Sequence, residues 1–249
     1  MASPVEARRV AALYDVHGNI AALDAVLAEV RAAGADLIVF GGDLVWGAWP
    51  VRALERCLNP GIDALYVRGN ADREVAGYRD AAEAGTWIDE ITAWCAARLA
   101  DSHRSFLMDQ AESVVVKVEG LGDVFFCHGS PRSDEERLTS ATPEKRFSAA
   151  VRETGTDTIV CGHTHMQFDR RAGDKRVVNA GSVGMPYEGR PGAFWALLGP
   201  DIEHRRTAYD FQGAAAQMQR SGCPHSADLA EGVVSPPQPS DVIEQFESA

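Results

Sequence analysis

The sequence predicts an α/β fold with two sheets, and three features carry that expectation. Strand-like and helix-patterned segments alternate through the first third of the chain, the early strand-like runs are apolar without interruption, and from Val114 a series of short strand-like runs returns. Alternation implies a parallel layer with right-handed crossovers, and unbroken apolar runs mark strands covered on both faces. The later runs, short and separated by turn glycines, imply antiparallel pairing in a second sheet packed on the first.

Taken in order, RRVAALYD is strand-like. Residues 20 to 33 place Ile20, Leu23, Leu27 and Val30 on one helical face, and Gly34 stops that helix. ADLIVFGGD is the second strand, Val51 to Leu58 a helix and DALYVRGN the third strand. Residues 71 to 110 are rich in alanine and carry Trp87, Ile91, Trp94 and Leu99 at helical spacings, so a helical insertion is expected there with its aromatic residues in the core. SVVVKVEG, DVFFCHG, DTIVCGHTH, QFDRRAG, KRVVNAGSVG and GAFWALL are the later strands. After a proline-rich break at 235–239, Ser240 is placed to cap a short amphipathic helix bearing Val242, Ile243 and Phe246. Three apolar side chains on one stripe imply that the C-terminal extension, about 221–249, docks on the body. A chain of 249 residues fits within one core, so a single domain over 1–249 is expected.

Composition narrows the function classes. With 45% hydrophobic and 24% charged residues the chain reads as globular, and no apolar run approaches the ~18 residues of a membrane span. MASPVEARRV lacks the apolar stretch of a secretory signal, which implies a cytoplasmic protein without a membrane partner. Cys57, Cys95, Cys127, Cys161 and Cys223 are odd in number and never paired as CxxC, which argues against a disulfide framework and a cysteine zinc site. The formal net charge of -12 disfavours extended nucleic acid as a partner. It leaves room for a small phosphoester, such as a nucleotide, drawn to a local cationic centre. Oligomeric state is not readable from the sequence.

The chemistry gathers where strands end. LYDVHGN places Asp15 and His17 just beyond an apolar run, VFGGD ends in Asp43, VRGN in Asn70, FFCHG in His128, and IVCGHTH in His163 and His165. Sites in such sheets form beyond the carboxyl ends of strands, so these seven residues are able to converge on one rim. Two carboxylates, four imidazoles and an amide oxygen suit a pair of divalent cations of the Mn, Fe, Ni or Zn kind. Four of the seven histidines stand at these positions, whereas His103, His204 and His225 lie in ordinary polar contexts. Asp15 and His17 are two apart, as are His163 and His165, and alternate residues of an extended segment face one side.

The ordered series DVH at 15–17, GGD at 41–43, GN at 69–70, HG at 128–129 and GHTH at 162–165 resembles the calcineurin-like metallophosphoesterase superfamily, from Asp15 to about Gly184. The length and NAGSVGMP are similar to its small bacterial phosphodiesterase-like branch. The resemblance implies a four-layered α/β/β/α sandwich of two mixed sheets flanked by helices. It also implies that Asp15, His17 and His165 bind one metal, that Asn70, His128 and His163 bind the other, and that Asp43 bridges them through its two oxygens. The implied activity is hydrolysis of phosphodiesters or phosphomonoesters by a metal-bridging hydroxide, since metal binding brings the pKa of water from 15.7 towards about 7. Asp43 and His128 are then the catalytic residues. The rival reading is a noncatalytic metal-binding scaffold of the same fold that acts through protein contacts.

Weaker expectations attach to other positions. Asn19 is placed to orient substrate phosphate or to cap a helix, and Arg73 and Arg132 follow the ligand loops closely enough to reach a phosphate. Gly181 and Ser182 either help close the site or form a structural turn. One departure stands out: many relatives continue the GN motif with a histidine that protonates the leaving group, and this chain has Ala71 followed by Asp72. A lone aspartate is ordinarily ionised at neutral pH and donates protons poorly.

Overall fold

The computed structural model describes residues 5–78 and 85–248. Residues 79–84, within the expected insertion, and Ala249 lie outside the described residues. The chain opens with β1 (Val5–Ala7) and β2 (Val10–Leu13), then alternates α1 (Ile20–Ala32), β3 (Leu37–Phe40), α2 (Pro50–Leu58) and β4 (Asp63–Tyr66). Helices α3 (Asn70–Gly77), α4 (Trp87–Ala96) and α5 (Asp101–Met108) follow. Next come β5 (Ser113–Val118), β6 (Gly122–Cys127), α6 (Glu144–Val151), β7 (Thr158–Cys161), β8 (Phe168–Ala172), β9 (Lys175–Asn179), β10 (Ala193–Leu198) and β11 (Ile202–Thr207). Helices α7 (Phe211–Met218), α8 (Ser226–Val234) and α9 (Pro239–Ser248) end the chain.

Two mixed sheets result. One has the order β11-β10-β2-β3-β4 with β2, β3 and β4 parallel, and the other β1-β5-β6-β7-β9-β8. Alternation along β2 shows how the layers stack. Val10 and Ala12 join Val39 in a core shared with Val116, Val124, Phe126 and Val160 of the other sheet. Ala11 and Leu13 turn the opposite way, with Ile38 and Phe40, onto Leu23 and Leu27 of α1 and Leu54 of α2. On the far face of the second sheet Ile159 and Cys161 pack on Phe147 and Val151 of α6. Helices, sheet, sheet and helix form the four-layered α/β/β/α sandwich, and all five cysteines are free and buried.

Three details differ from the sequence expectation. The strands after residue 158 are not simply antiparallel: β7 runs parallel to both β6 and β9, because α6 serves as a crossover and the β8–β9 hairpin inserts β9 beside β7. β10 and β11 return to the first sheet, where β10 lies antiparallel to β2. Helix α9 begins at Pro239, so Ser240 sits within its first turn rather than capping it, and proline suits that first position because no N–H is needed there. Among the described residues no helix is long and apolar enough to cross a membrane.

Candidate metal centre

The loops after β2, β3, β6 and β7 and the start of α3 bring the seven candidates to one rim. The backbone that does this is not extended. Asp15 (φ 54°), His17 (46°), Asp43 (56°), His163 (64°) and His165 (58°) all lie in the left-handed region, and they are five of the six described non-glycine residues that do. Each such residue costs roughly 1–3 kcal/mol and persists only where its surroundings hold it. Left-handed turns, not strand alternation, therefore aim these side chains.

The restraints are visible. Asp15 N–H donates to Gly42 O (3.0 Å) and His17 N–H to Asp43 O (2.9 Å), tying the first ligand loop to the second. A Cβ on Gly69 would lie 2.1 Å from Asp43 Oδ1, and one on Gly42 2.6 Å from the Gly69 backbone, so only glycine allows the loops this close. The NAGSVG segment braces them from behind: Ser182 Oγ donates to Asp15 O (2.8 Å) and Asn179 Nδ2 to Gly162 O (2.7 Å).

Two clusters form, Asp15 with His17 and His165, and Asp43 with His128 and His163, the donor atoms of each within 4.8 Å of one another. His17 Nδ1 is 3.1 Å from Trp46 O, His165 Nδ1 2.6 Å from Met185 O and His128 Nδ1 2.8 Å from Gly41 O. A carbonyl only accepts, so each Nδ1 carries a proton and each ring turns its Nε2 into the site. Those Nε2 atoms meet one another and the other ligand-type atoms. His17 Nε2 is 3.1 Å from His165 Nε2, and His128 Nε2 is 3.1 Å from Asn70 Oδ1 and 3.4 Å from Asp43 Oδ2. His163 is reversed: its Nε2 pairs with Glu135 O (3.2 Å), which leaves Nδ1 for the cluster. Asp15 Oδ1 is buried without a hydrogen-bond partner. The facing Nε2 atoms of His17 and His165 and the unpartnered Asp15 Oδ1 fit a cation, and the ligand set suits divalent metal.

The electrostatics divide the histidines. Burial, reinforced by His165, lowers the His17 pKa to about 4, and burial with His128 does the same for His163. Burial also opposes charge on His128, but Asp43 outweighs it and raises that pKa to about 10. Burial disfavours the Asp43 carboxylate, yet His128 and His17 hold its pKa below the usual range.

The sequence profile of the Calcineurin-like phosphoesterase superfamily domain matches residues 9–198, which contain all seven candidates. The chain belongs to that superfamily. It is 26% identical over 236 residues to an uncharacterized protein of Methanocaldococcus jannaschii, covering 86% of this chain and 93% of the other. A hypothetical protein of Pyrococcus horikoshii shares the fold with a TM-score of 0.80 at 19% identity, over 94% of this chain and 100% of that one. A metallophosphoesterase from Sphaerobacter thermophilus matches with a TM-score of 0.73 at 25% identity, over 93% and 98%.

Within this superfamily frame the remaining expectations separate. Asn19 is fully buried and its amide is committed: Oδ1 accepts from Ala22 N–H, capping α1, and Nδ2 donates to Gly184 O and Tyr209 Oη. It has no group left for phosphate. Arg73 is paired with Asp134 (2.8 Å) and Glu135 (2.7 Å), and Arg132 with Glu136 (2.7 Å). Both line a separate hollow of about 310 Å³ that also touches His128. Asp72 is not the ordinarily ionised group expected: it is fully buried, and burial with the Asp43 charge raises its pKa to about 7. Its Oδ1 accepts from Leu44 N–H (2.9 Å) and Val45 N–H (3.2 Å), fixing the loop that carries Asp43.

A cleft of about 460 Å³ opens beside the clusters, lined by His17, Asp43, Asn70, His163 and His165. Its further walls were not anticipated as functional. Trp46, Trp87, Arg137, Met185, Tyr187 and Phe246 all contribute. Trp87, expected in the core, is 49% exposed at the start of α4, while its neighbour Ile91 is buried. The position of Tyr187, next to NAGSVGMP, was the available signal, since it stacks on His165 with centroids 4.6 Å apart.

Proposed function

We propose that the protein hydrolyses small phosphoesters with a pair of divalent metal ions. Asp15, His17 and His165 would hold one ion, Asn70, His128 and His163 the other, and Asp43 would serve both. The observation that carries this reading is the set of buried acceptors turned on one another, led by His17 Nε2 and His165 Nε2 at 3.1 Å and the unpartnered Asp15 Oδ1. Such ions, when bound, supply an activated water and neutralise charge on the phosphoryl oxygens.

The chain's own residues do the positioning. Trp46 O, Met185 O and Gly41 O fix the ring tautomers that present Nε2, as backbone carbonyls do behind metal-bound histidines. Asp43 Oδ1 accepts from Ala71 N–H (2.9 Å), and Oδ2 faces both His17 Nε2 (3.7 Å) and His128 Nε2 (3.4 Å), so Oδ2 is the oxygen that would reach both clusters.

Hydrolysis of p-nitrophenyl phosphate and bis-p-nitrophenyl phosphate by chelator-treated protein, with and without added manganese, tests the proposal. Turnover restored by metal is the expected result. Stoichiometric metal binding without turnover of either ester would instead favour a scaffold that retains its ligands.

A further inference from the structure

Part of the cleft has walls that phosphate chemistry does not require. Trp87 and Ile88 stand 49% and 44% exposed at the start of α4, although the rest of that helix buries Ile91, Cys95 and Ala96. Trp87 meets Trp46 edge-on with ring centroids 5.9 Å apart. Tyr187 lies against His165 at an interplanar angle of 29°. Helix α9 adds Val242 and Phe246, with the Arg137 guanidinium 5.0 Å from the Phe246 ring centroid.

The α9 wall is fixed in place. Glu247 accepts from Thr139 Oγ1 (2.6 Å), Thr142 Oγ1 (2.7 Å) and Arg146 Nη2 (2.7 Å), and Gly189 N–H donates to Pro237 O (2.9 Å) just before the helix. Each end of the segment is therefore anchored, and the cleft is formed in advance. Large apolar groups left at the rim of such a cavity mark a binding surface.

We infer that the cleft selects phosphoesters whose organic part is a flat heteroaromatic ring of nucleobase size, seated among Trp87, Tyr187 and Phe246 while the phosphate meets the acid–histidine clusters. The inference rests on the phosphoesterase reading and names its substrate class. Volume supports it: about 460 Å³ lies within the range of small-ligand sites, on the order of 300–1,000 Å³, and suits one nucleotide. Aromatic faces favour a flat π-system over an alkyl chain, an advantage of roughly tenfold or more in affinity per stacked base. Arg137, Gln245 and Glu74 also line the cleft and offer donors and acceptors to ring heteroatoms, which an alkyl ester cannot use.

The test is equilibrium binding by calorimetry to the manganese-loaded full chain. Its two ligands are a phosphonate analogue of adenosine monophosphate, whose C–P bond is not cleaved, and methylphosphonate. The adenosine analogue is expected to bind at least tenfold more tightly, and Trp87→Ala or Phe246→Ala should each cut that ratio at least fivefold. Trp87→Phe should restore most of it, which separates loss of a ring from loss of fold. Equal affinities in the wild type, or a ratio that survives both alanine substitutions, would overturn the inference. An intact ratio in protein that hydrolyses no ester supports the ring subsite and removes the phosphoesterase reading alone, whereas hydrolysis without a ratio removes the ring subsite alone.

Discussion

His17 Nε2 and His165 Nε2 stand 3.1 Å apart, although each ring already gives its Nδ1 proton to a backbone carbonyl. In their neutral forms the two imidazoles would turn away from that contact. They are held by left-handed backbone at both residues and by the stacking of Tyr187 on His165. The fold thus maintains two lone pairs in a geometry that a cation relieves, which is preorganisation for binding rather than for stability.

Asp43→Asn should cost more activity than His17→Ala. Asp43 Oδ2 lies within 3.4 Å of His128 Nε2 and 3.7 Å of His17 Nε2, so one atom serves both clusters, while His17 serves one. The expected loss in kcat/KM on an aryl phosphate is roughly 100-fold or more for Asp43→Asn. Metal stoichiometry should fall in the same order. Equal and mild losses in the two variants would contradict the shared role of Asp43.

Metal affinity should climb with pH between 6 and 8. With His128 raised to about 10, metal must displace its proton throughout this range. Burial lowers His17 and His163 to about 4, so both are already neutral and add nothing. One displaced proton predicts about a tenfold gain in manganese affinity per pH unit. Titration of chelator-treated protein at several pH values measures the slope, and a flat profile would remove His128 from the ligand set.

The reach of the sequence can be judged from individual residues. Asp43, His128 and His163 were legible because each follows an apolar run that has to be a buried strand, so the chain itself marks where a rim forms. The left-handed backbone that aims them was not, because positive φ at Asp or His is set by contacts such as Asp15 N–H to Gly42 O across distant loops. Trp87 shares the helical spacing of Ile91, yet one is half-exposed and the other buried, a distinction made by what packs alongside. For the same reason α9 read as a docked amphipathic helix, while Phe246 as a wall of the cleft became visible only in three dimensions. The return of β10 to the side of β2 is likewise a long-range pairing with no local signature.

Asp72→Asn should stabilise the metal-free protein more at pH 8 than at pH 4. Burial, then the Asp43 charge, raises the folded-state pKa of Asp72 from 3.8 to about 7, so stability linked to its protonated form is full below 3.8 and is lost as pH rises through 7. Asparagine stays neutral and keeps an oxygen for Leu44 and Val45 N–H. The difference in unfolding free energy, variant minus wild type, should therefore grow with pH, by an amount on the order of a few kcal/mol at most, and Tm measured across the range follows it. A pH-independent difference would show that Asp72 is ionised in the folded state across this range.

Hydrolysis should favour esters with acidic leaving groups. Ala71 stands where the sequence resemblance implies a proton-donating histidine in many relatives; its N–H donates to Asp43 Oδ1 and its side chain lines the cleft. Asp72 does not substitute, because its carboxyl is drawn away to Leu44 and Val45. A positioned general acid contributes roughly 100- to 10,000-fold, most of it for leaving groups that depart poorly without a proton. Chemistry-limited rates across substituted aryl phosphates should thus fall steeply as leaving-group pKa rises, with alkyl phosphates slowest. Ala71→His should flatten that slope by restoring an imidazole at the edge of the cleft. A flat wild-type series with chemistry rate-limiting would assign proton delivery to another cleft group, and Tyr187→Phe would then be the first substitution to steepen it, since among the described residues the Tyr187 hydroxyl is engaged only by the weak acceptor Met185 Sδ at 3.7 Å.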